Sequence, residues 1–238
     1  GLVTDPRPNA VAVRCHVRSS FPIAQLVVFY LPSLIPGYGW IFPMGKGEYN
    51  VGCVAFCRAG ARNPPNPKKG FEEFVTAFGL ARRLLEAGEA VAPLRGGALR
   101  CGFHGARRPV RGSIAAIGEA IGSSFPFNGE GIGPAMETGE LAAAAVHEAL
   151  VSRDLGKLGE YPERVWHALR ARQLSRRVAQ GAAGVRWLND FLARRAGKGK
   201  TIHALTASAS GVEVNSSTSA ILSLPFRFLA AVTGWRSR

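Results

Sequence analysis

The first 57 residues alternate between apolar and polar positions in several short runs, and this period of two predicts β-strands. Strand-like runs occupy residues 11–18, 25–30, 37–43 and 49–57. Pro32 ends the second run, and the segment Met44–Glu48, with glycines at 45 and 47, is typical of a hairpin turn between the last two. We therefore expect an antiparallel sheet at the start of the chain.

A helical spacing replaces the alternation after a polar, proline-containing stretch at 58–70, which we expect to be a loop. Apolar side chains recur at helical intervals over 71–87 and predict a helix there, and short strands are expected within 94–111. Beyond Val151 the same spacing predicts a long helix over 161–196 and a short apolar helix over 221–232, separated by a polar stretch at 208–219.

The stretch Ile117–Ala144 combines three local signals. Residues 115–117 read as a short buried strand that stops at Gly118. Glycines at 129, 131 and 133 allow a tight turn that lies close against a flat partner, and Pro134 suits the first turn of a helix. The apolar face of this helix is expected at Met136, Leu141, Ala145 and Ala149. A helix N-terminus favours an anionic group, although small residues that merely pack closely explain this composition equally well.

Charge and cysteine usage narrow the picture a little further. The formal net charge is +14, and residues 151–200 hold 12 Lys and Arg against 4 Asp and Glu. Such a basic helical region predicts a solvated face or contact with anionic lipid headgroups, and it lacks the motif spacing of nucleic-acid-binding proteins. The four cysteines have no metal-ligand spacing, so we expect free thiols in a reducing cytoplasm and no metal site. No apolar run approaches the ~18–20 residues of a membrane span.

Ordered motifs then point to a family. The chain reads Gly118-Glu119-Ala120-Ile121-Gly122, then Pro126-Phe127-Asn128-Gly129-Glu130-Gly131-Ile132, then Ala135-Met136 with Gly139. This order resembles the geranylgeranyl reductase family of FAD-dependent oxidoreductases, which have the p-hydroxybenzoate hydroxylase-like fold. The resemblance implies that the flavin is contacted by Gly118, Glu119, Pro126, Phe127, Asn128, Gly129, Glu130, Gly131 and Ile132.

A second stretch resembles the same family. The chain has Pro36, Gly37, Tyr38, Trp40, Phe42 and Pro43, followed by Asn50, Val51 and Gly52. In the family this hairpin belongs to the substrate domain, which implies that Tyr38, Trp40 and Phe42 line an apolar cavity beside the flavin. Their alternation places them on one face of a strand, a position that suits ordinary core packing as well as a cavity wall.

Three departures from the family pattern qualify the resemblance. The Gly-x-Gly-x-x-Gly fingerprint of a dinucleotide-binding segment is absent from these 238 residues. Glu119 stands where the family has an aspartate, and Val54 replaces a family glycine. The resemblance therefore covers the later part of a family member, and it implies a separate dinucleotide-binding domain for the ADP half of FAD.

Together these observations predict an α+β chain with a partial FAD/NAD(P)-binding fold. We expect an antiparallel-sheet substrate domain at 1–110, an FAD-contacting strand-turn-helix at 111–150 and a basic C-terminal helical region at 151–238, which rests on a membrane surface.

The resemblance implies reduction of C=C bonds in a prenyl or similar apolar substrate by hydride from reduced flavin. It implies NAD(P)H as the electron donor, and it points to no catalytic side chain. The alternatives are a non-catalytic remnant or interaction module, and an FAD monooxygenase that acts on an aromatic compound.

Overall fold

The computed structural model describes residues 5, 7–58, 61, 64–105 and 108–185. These ranges contain seven β-strands and four α-helices. The predicted helix over 221–232, the polar stretch 208–219 and the part of the predicted long helix beyond 185 lie outside the described residues, as does most of the proposed region 151–238.

Five strands form an antiparallel sheet in the order β2-β3-β4-β1-β5. The strands are β1 (Ala10–Ser19), β2 (Val27–Phe29), β3 (Tyr38–Gly45), β4 (Glu48–Phe56) and β5 (Gly88–Leu99). The predicted strands over 11–18, 37–43 and 49–57 are confirmed, and so is the hairpin between the last two. The second predicted strand is shortened to three residues.

One face of this sheet is covered by two helices, α1 (Pro67–Ala77) and α2 (Gly79–Glu86). Phe74 and Leu84 are fully buried there against Val17, Ile41 and Val51. The single helix predicted over 71–87 is wrong in two respects, because Phe78 has extended dihedrals that divide it and because it begins earlier. The Asn66 side chain accepts hydrogen bonds from Lys68 N and Lys69 N at 3.0 and 3.4 Å, so Pro67 starts the helix and shortens the predicted loop.

The segment between the sheet and the glycine-rich stretch differs from the sequence prediction. One 12-residue strand, β5, replaces the first of the short strands expected within 94–111. The predicted buried strand at 115–117 is also wrong: β7 (Ile114–Ala115) pairs with β6 (Val110–Arg111) in a two-stranded ribbon, and Ile117 is 44% exposed. Because this ribbon lies outside the five-stranded sheet, its side chains are not covered on both faces.

A second core forms between α3 (Ile132–Ser152) and α4 (Tyr161–Ala183), which are joined by a 3-10 turn at Leu155–Glu160. Its buried residues include Ala142, Ala145 and Ala149 of α3 together with Val165 and Leu169 of α4. The prediction of Met136 on the buried face of α3 is wrong, since this side chain is 65% exposed and the buried stripe runs through Pro134 and Thr138 instead. No helix within the described ranges combines the length and hydropathy needed to cross a membrane.

Candidate cofactor and substrate site

The glycine-rich turn is held by its own backbone. Phe125 N donates to Glu130 O at 2.7 Å, and Gly129 N donates to Phe125 O at 3.0 Å. Phe127 and Gly129 both have positive φ, +80° and +67°. A non-glycine residue in this left-handed region is strained, and such strain persists only where the surroundings impose it. The two backbone hydrogen bonds therefore hold the turn in one defined conformation.

Two glycines of the predicted site lie close against other parts of the chain. A Cβ on Gly118 would lie 3.1 Å from the Ala135 Cβ, and the Gly118 N–H donates to Thr138 Oγ1 at 2.9 Å. A Cβ on Gly131 would lie 2.6 Å from the Ser124 hydroxyl oxygen. At Gly129, by contrast, a Cβ would meet nothing closer than Phe56 at 3.9 Å. Close packing and a positive φ of +59° therefore account for Gly118 without a cofactor, whereas at Gly131 only the rotatable Ser124 hydroxyl opposes a side chain.

The start of α3 offers fewer free donors than the sequence predicts. Gly133 N donates to the Glu130 carboxylate at 2.7 Å, and Glu130 N donates to the Asn128 side chain at 3.2 Å. Among the described residues, Gly131 N and Ile132 N have no hydrogen-bond partner. These two N–H groups lie at the positive end of the helix dipole and are suited to an electron-rich edge such as that of a flavin ring.

The aromatic hairpin reaches this turn directly. The Tyr38 hydroxyl donates to Asn128 O at 2.6 Å, and burial raises the pKa of Tyr38, so the hydroxyl remains a proton donor. The rings of Tyr38 and Trp40 are 6.0 Å apart, and those of Trp40 and Phe42 are stacked at 5.8 Å. All three side chains are half-buried. The structure thus brings the predicted substrate residues and the predicted cofactor turn together, although they are distant in sequence.

Two predicted flavin contacts have solvent-exposed side chains in the described structure. Glu119 lies in a 3-10 turn, Gly118–Ile121, and its carboxylate is exposed. The Ile132 side chain is 79% exposed.

The sequence patterns did not identify two residues of α4, Arg176 and Gln173, that contact Phe125 and Ser123 at the start of the turn. The Arg176 guanidinium lies over the Phe125 ring, 3.9 Å from its centre, and its burial lowers its pKa. Gln173 Nε2 donates to Ser123 O at 2.6 Å. Both residues continue the helical spacing of Val165 and Leu169, and that periodicity is the signal that would have found them.

No protein-family model matches the chain. A menaquinone reductase of Mycobacterium tuberculosis is 36% identical over 155 residues, which are 62% of this chain and 36% of that protein. A digeranylgeranylglycerophospholipid reductase of Methanosarcina acetivorans is 31% identical over 142 residues, 58% of this chain and 33% of its own. The chain therefore spans about a third of the length of these curated relatives.

The predicted resemblance to geranylgeranyl reductases is confirmed. A crystal structure of a geranylgeranyl bacteriochlorophyll reductase-like protein from Thermoplasma acidophilum superposes with a TM-score of 0.60 at 22% identity, over 74% of this chain and 43% of that one. A flavin-dependent brominase superposes with a TM-score of 0.59 at 14% identity, over 92% and 56% of the two chains. At these identities the superpositions show only a shared mixed α+β fold. The Thermoplasma acidophilum protein and the brominase both have this fold.

Proposed function

We propose that the chain forms the substrate side of an FAD-dependent oxidoreductase that reduces C=C bonds in a prenyl or similar apolar substrate. The observation that carries the proposal is the hydrogen bond from the Tyr38 hydroxyl to Asn128 O, which joins an aromatic surface to the glycine-rich turn. A platform for an apolar chain and a backbone suited to a flavin edge are therefore adjacent. The reductase names of the relatives support the same assignment.

The residues around the turn fit the redox end of FAD. The N–H groups of Gly131 and Ile132, with the α3 dipole behind them, would stabilise negative charge at the N1/C2=O edge of the ring. Pro126 and Phe127 would flank the ring, and Gly118, Glu119, Asn128, Gly129 and Glu130 would complete the contact. When bound, FAD supplies the hydride, and we propose NAD(P)H as the electron donor that reduces it. The ADP half would be bound by a dinucleotide-binding domain separate from the described residues.

The substrate-side residues would position the alkene and exclude water. Tyr38, Trp40 and Phe42 form a continuous aromatic row on β3, and such rings offer large apolar contact areas at low conformational cost. We also propose that the chain divides into domains after residues 110 and 150. The basic C-terminal region, 151–238, would contact a membrane surface.

One observation favours the alternative of a non-catalytic module that keeps the fold. The Glu130 carboxylate already accepts from Gly133 N at the start of α3, where it supplies the negative charge that the helix dipole favours. A flavin at this place would share the helix terminus with that carboxylate. The two functions differ in a direct way, because only the oxidoreductase retains flavin.

The decisive experiment is flavin retention. The chain is mixed with FAD, with and without a dinucleotide-binding domain supplied as a second protein, passed through a desalting column and examined by visible absorption. We expect flavin to be retained in the mixture that contains the added domain. No retained flavin in either mixture would establish the non-catalytic alternative.

A matched pair of variants tests the two backbone donors. Ile132→Pro removes the Ile132 N–H at the first helical position and Ile132→Ala keeps it. Because Gly131 has a ψ of −17°, which a following proline disfavours, urea unfolding of both variants checks that their stabilities agree. We expect Ile132→Pro to weaken flavin retention at least tenfold and Ile132→Ala to leave it unchanged. Equal retention by both variants would show that this N–H does not contact the ring.

A further inference from the structure

The face of the sheet opposite α1 and α2, here called the open face, is buried near the turn at Ala10, Val54 and Phe56. Farther from the turn it carries a line of residues across four strands that ends in exposed side chains. Trp40 of β3 lies opposite Gly52 of β4, Gly52 opposite Arg14 of β1, and Arg14 opposite Arg95 of β5. Residues directly opposite each other in a sheet point to the same face. The Trp40 ring lies over Gly52, where a Cβ would come within 2.4 Å of it. This line therefore runs from an aromatic ring to two arginines.

The adjacent line, nearer the glycine-rich turn, is apolar instead. Tyr38 lies opposite Val54, Val54 opposite Ala12, and Ala12 opposite Gly97. The two lines are separated by two residues along each strand, which is about 7 Å. Since Tyr38 also bonds to the turn through Asn128, the open face changes from apolar to cationic with distance from the turn.

The two arginines are not neutralised by the protein. Arg14 and Arg95 are exposed, and within the described ranges neither forms an ion pair with an acidic side chain. Arg14 is instead held by His16, whose Nε2 lies 2.9 Å from Arg14 Nη1. Like charges directly opposite each other in a sheet are destabilising. The pair therefore favours an anion placed between or above the two guanidinium groups.

Arg18 shows the contrasting arrangement on the same strand and face. It forms an ion pair with Glu48 of β4 and lies opposite Glu89 of β5. Cationic charge is thus compensated at position 18 and uncompensated at positions 14 and 95. This difference singles out the Arg14–Arg95 pair from the general basic character of the chain.

We propose that Arg14 and Arg95 bind the anionic head of the substrate, a phosphate ester, and so select charged prenyl lipids over quinones or alcohols with uncharged heads. The apolar chain would lie over Ala12 and Tyr38 toward the turn. Trp40 would be about 10–14 Å from the head, since it is two strand spacings from Arg14 and three from Arg95. The inference rests on the proposed function. It distinguishes a charged head, as in the name of the digeranylgeranylglycerophospholipid reductase, from the uncharged quinone head in the name of the menaquinone reductase.

The test compares the affinity of two amphiphiles that share one chain, without any flavin. Farnesyl monophosphate and farnesol are titrated into the full chain below their aggregation concentrations, with inorganic phosphate as a third ligand, and binding is followed by calorimetry. We expect farnesyl monophosphate to bind at least tenfold more tightly than farnesol. Arg95→Gln should abolish this preference and leave farnesol binding unchanged, whereas the control Arg18→Gln should retain the preference.

Any of the following results would overturn the proposal. Equal affinity for the two amphiphiles would show that the head is not read, and an equal loss in Arg95→Gln and Arg18→Gln would show a non-specific effect of charge. Inorganic phosphate that binds as tightly as farnesyl monophosphate would indicate a free-anion site. No binding of either amphiphile would overturn the substrate platform together with this inference, while flavin retention without a phosphate preference would overturn this inference alone.

Discussion

At the scale of single residues, Gly131 and Ser124 decide how closely the start of α3 approaches the turn. A Cβ on Gly131 would lie 2.6 Å from Ser124 Oγ but 3.5 Å from Ser124 Cβ, and the second distance is ordinary contact. We expect Gly131→Ala to lower the free energy of unfolding by about 1 kcal/mol, the lower end of the range for overpacking, because the Ser124 hydroxyl can rotate away from the added methyl group. In a Ser124→Ala background the same change should cost almost nothing, as measured by urea unfolding of all four proteins.

The Gly131–Ser124 cycle also separates packing from cofactor binding. If the double variant regains stability and still retains flavin, Gly131 serves packing alone. If it regains stability and loses flavin, the flavin ring requires a position 131 without a side chain. Purely additive costs in the stability cycle would contradict the contact itself.

Tyr161 predicts a specific dependence of stability on pH. Its ring is fully buried, and its hydroxyl donates to Ala116 O at 2.9 Å and to Thr138 O at 3.3 Å. Burial raises the pKa of Tyr161 from 10.0 to about 12. Since the unfolded chain releases this proton more easily, the contribution of Tyr161 to stability is complete below pH 10 and is lost as the pH rises toward 12.

We therefore expect two differences between Tyr161→Phe and the unmodified chain. At pH 7 the variant should be less stable by about 1–2 kcal/mol, because a buried hydrogen bond is lost. Between pH 10 and 12 its unfolding free energy should fall less steeply, since the titrating hydroxyl is gone. Denaturant unfolding across this range measures both effects, and parallel curves for the two proteins would contradict the assignment.

At the scale of elements, α1 depends on one side-chain cap. Asn66 accepts from two backbone N–H groups of the first turn, and it replaces bonds that the helix cannot make internally. Asn66→Ala should lower the unfolding free energy by about 1 kcal/mol, whereas Asn66→Asp should retain the cap. Thermal or chemical unfolding of the two variants checks this, and an equal loss in both would mean that the carboxamide acts by some means other than accepting these bonds.

The elements also show where local patterns stop being informative. Alternation located β1, β3 and β4, because each of these strands has one face on a buried core. Helical spacing, in contrast, misplaced Met136, which is 65% exposed. Apolar residues on a helix do not reveal which stripe is covered, since the position of the neighbouring element selects it.

At the scale of the whole molecule, Asn9 joins the sheet to the layer that carries the turn. Its side chain donates to Cys101 O at 2.9 Å and accepts from Cys101 N at 2.8 Å, across 92 residues. Cys101 in turn bridges to Ser124, next to the turn. Asn9 and the Cys101–Ser124 bridge therefore link the sheet to the segment that precedes the turn.

Asn9 variants test that connection. Asn9→Ala should cost about 2 kcal/mol of unfolding free energy, since both bonds are lost. Asn9→Asp should be at least as damaging, because it keeps one acceptor and sets a carboxylate oxygen against the Cys101 carbonyl. Urea unfolding measures both costs. A markedly milder effect of Asp than of Ala would show that the Cys101 N–H bond alone carries the connection.

The sequence by itself determined the local parts of this protein. A period of two placed Tyr38, Trp40 and Phe42 on one face, and glycines with a following proline located the turn and the start of α3. These features depend on neighbours a few residues away, so a linear pattern contains them. Only the tertiary structure decided that Tyr38 bonds to Asn128, that Arg14 lies opposite Arg95 and that Arg176 lies over the Phe125 ring. Each of those contacts joins distant segments, and strand order and helix packing, which no local period encodes, bring them together.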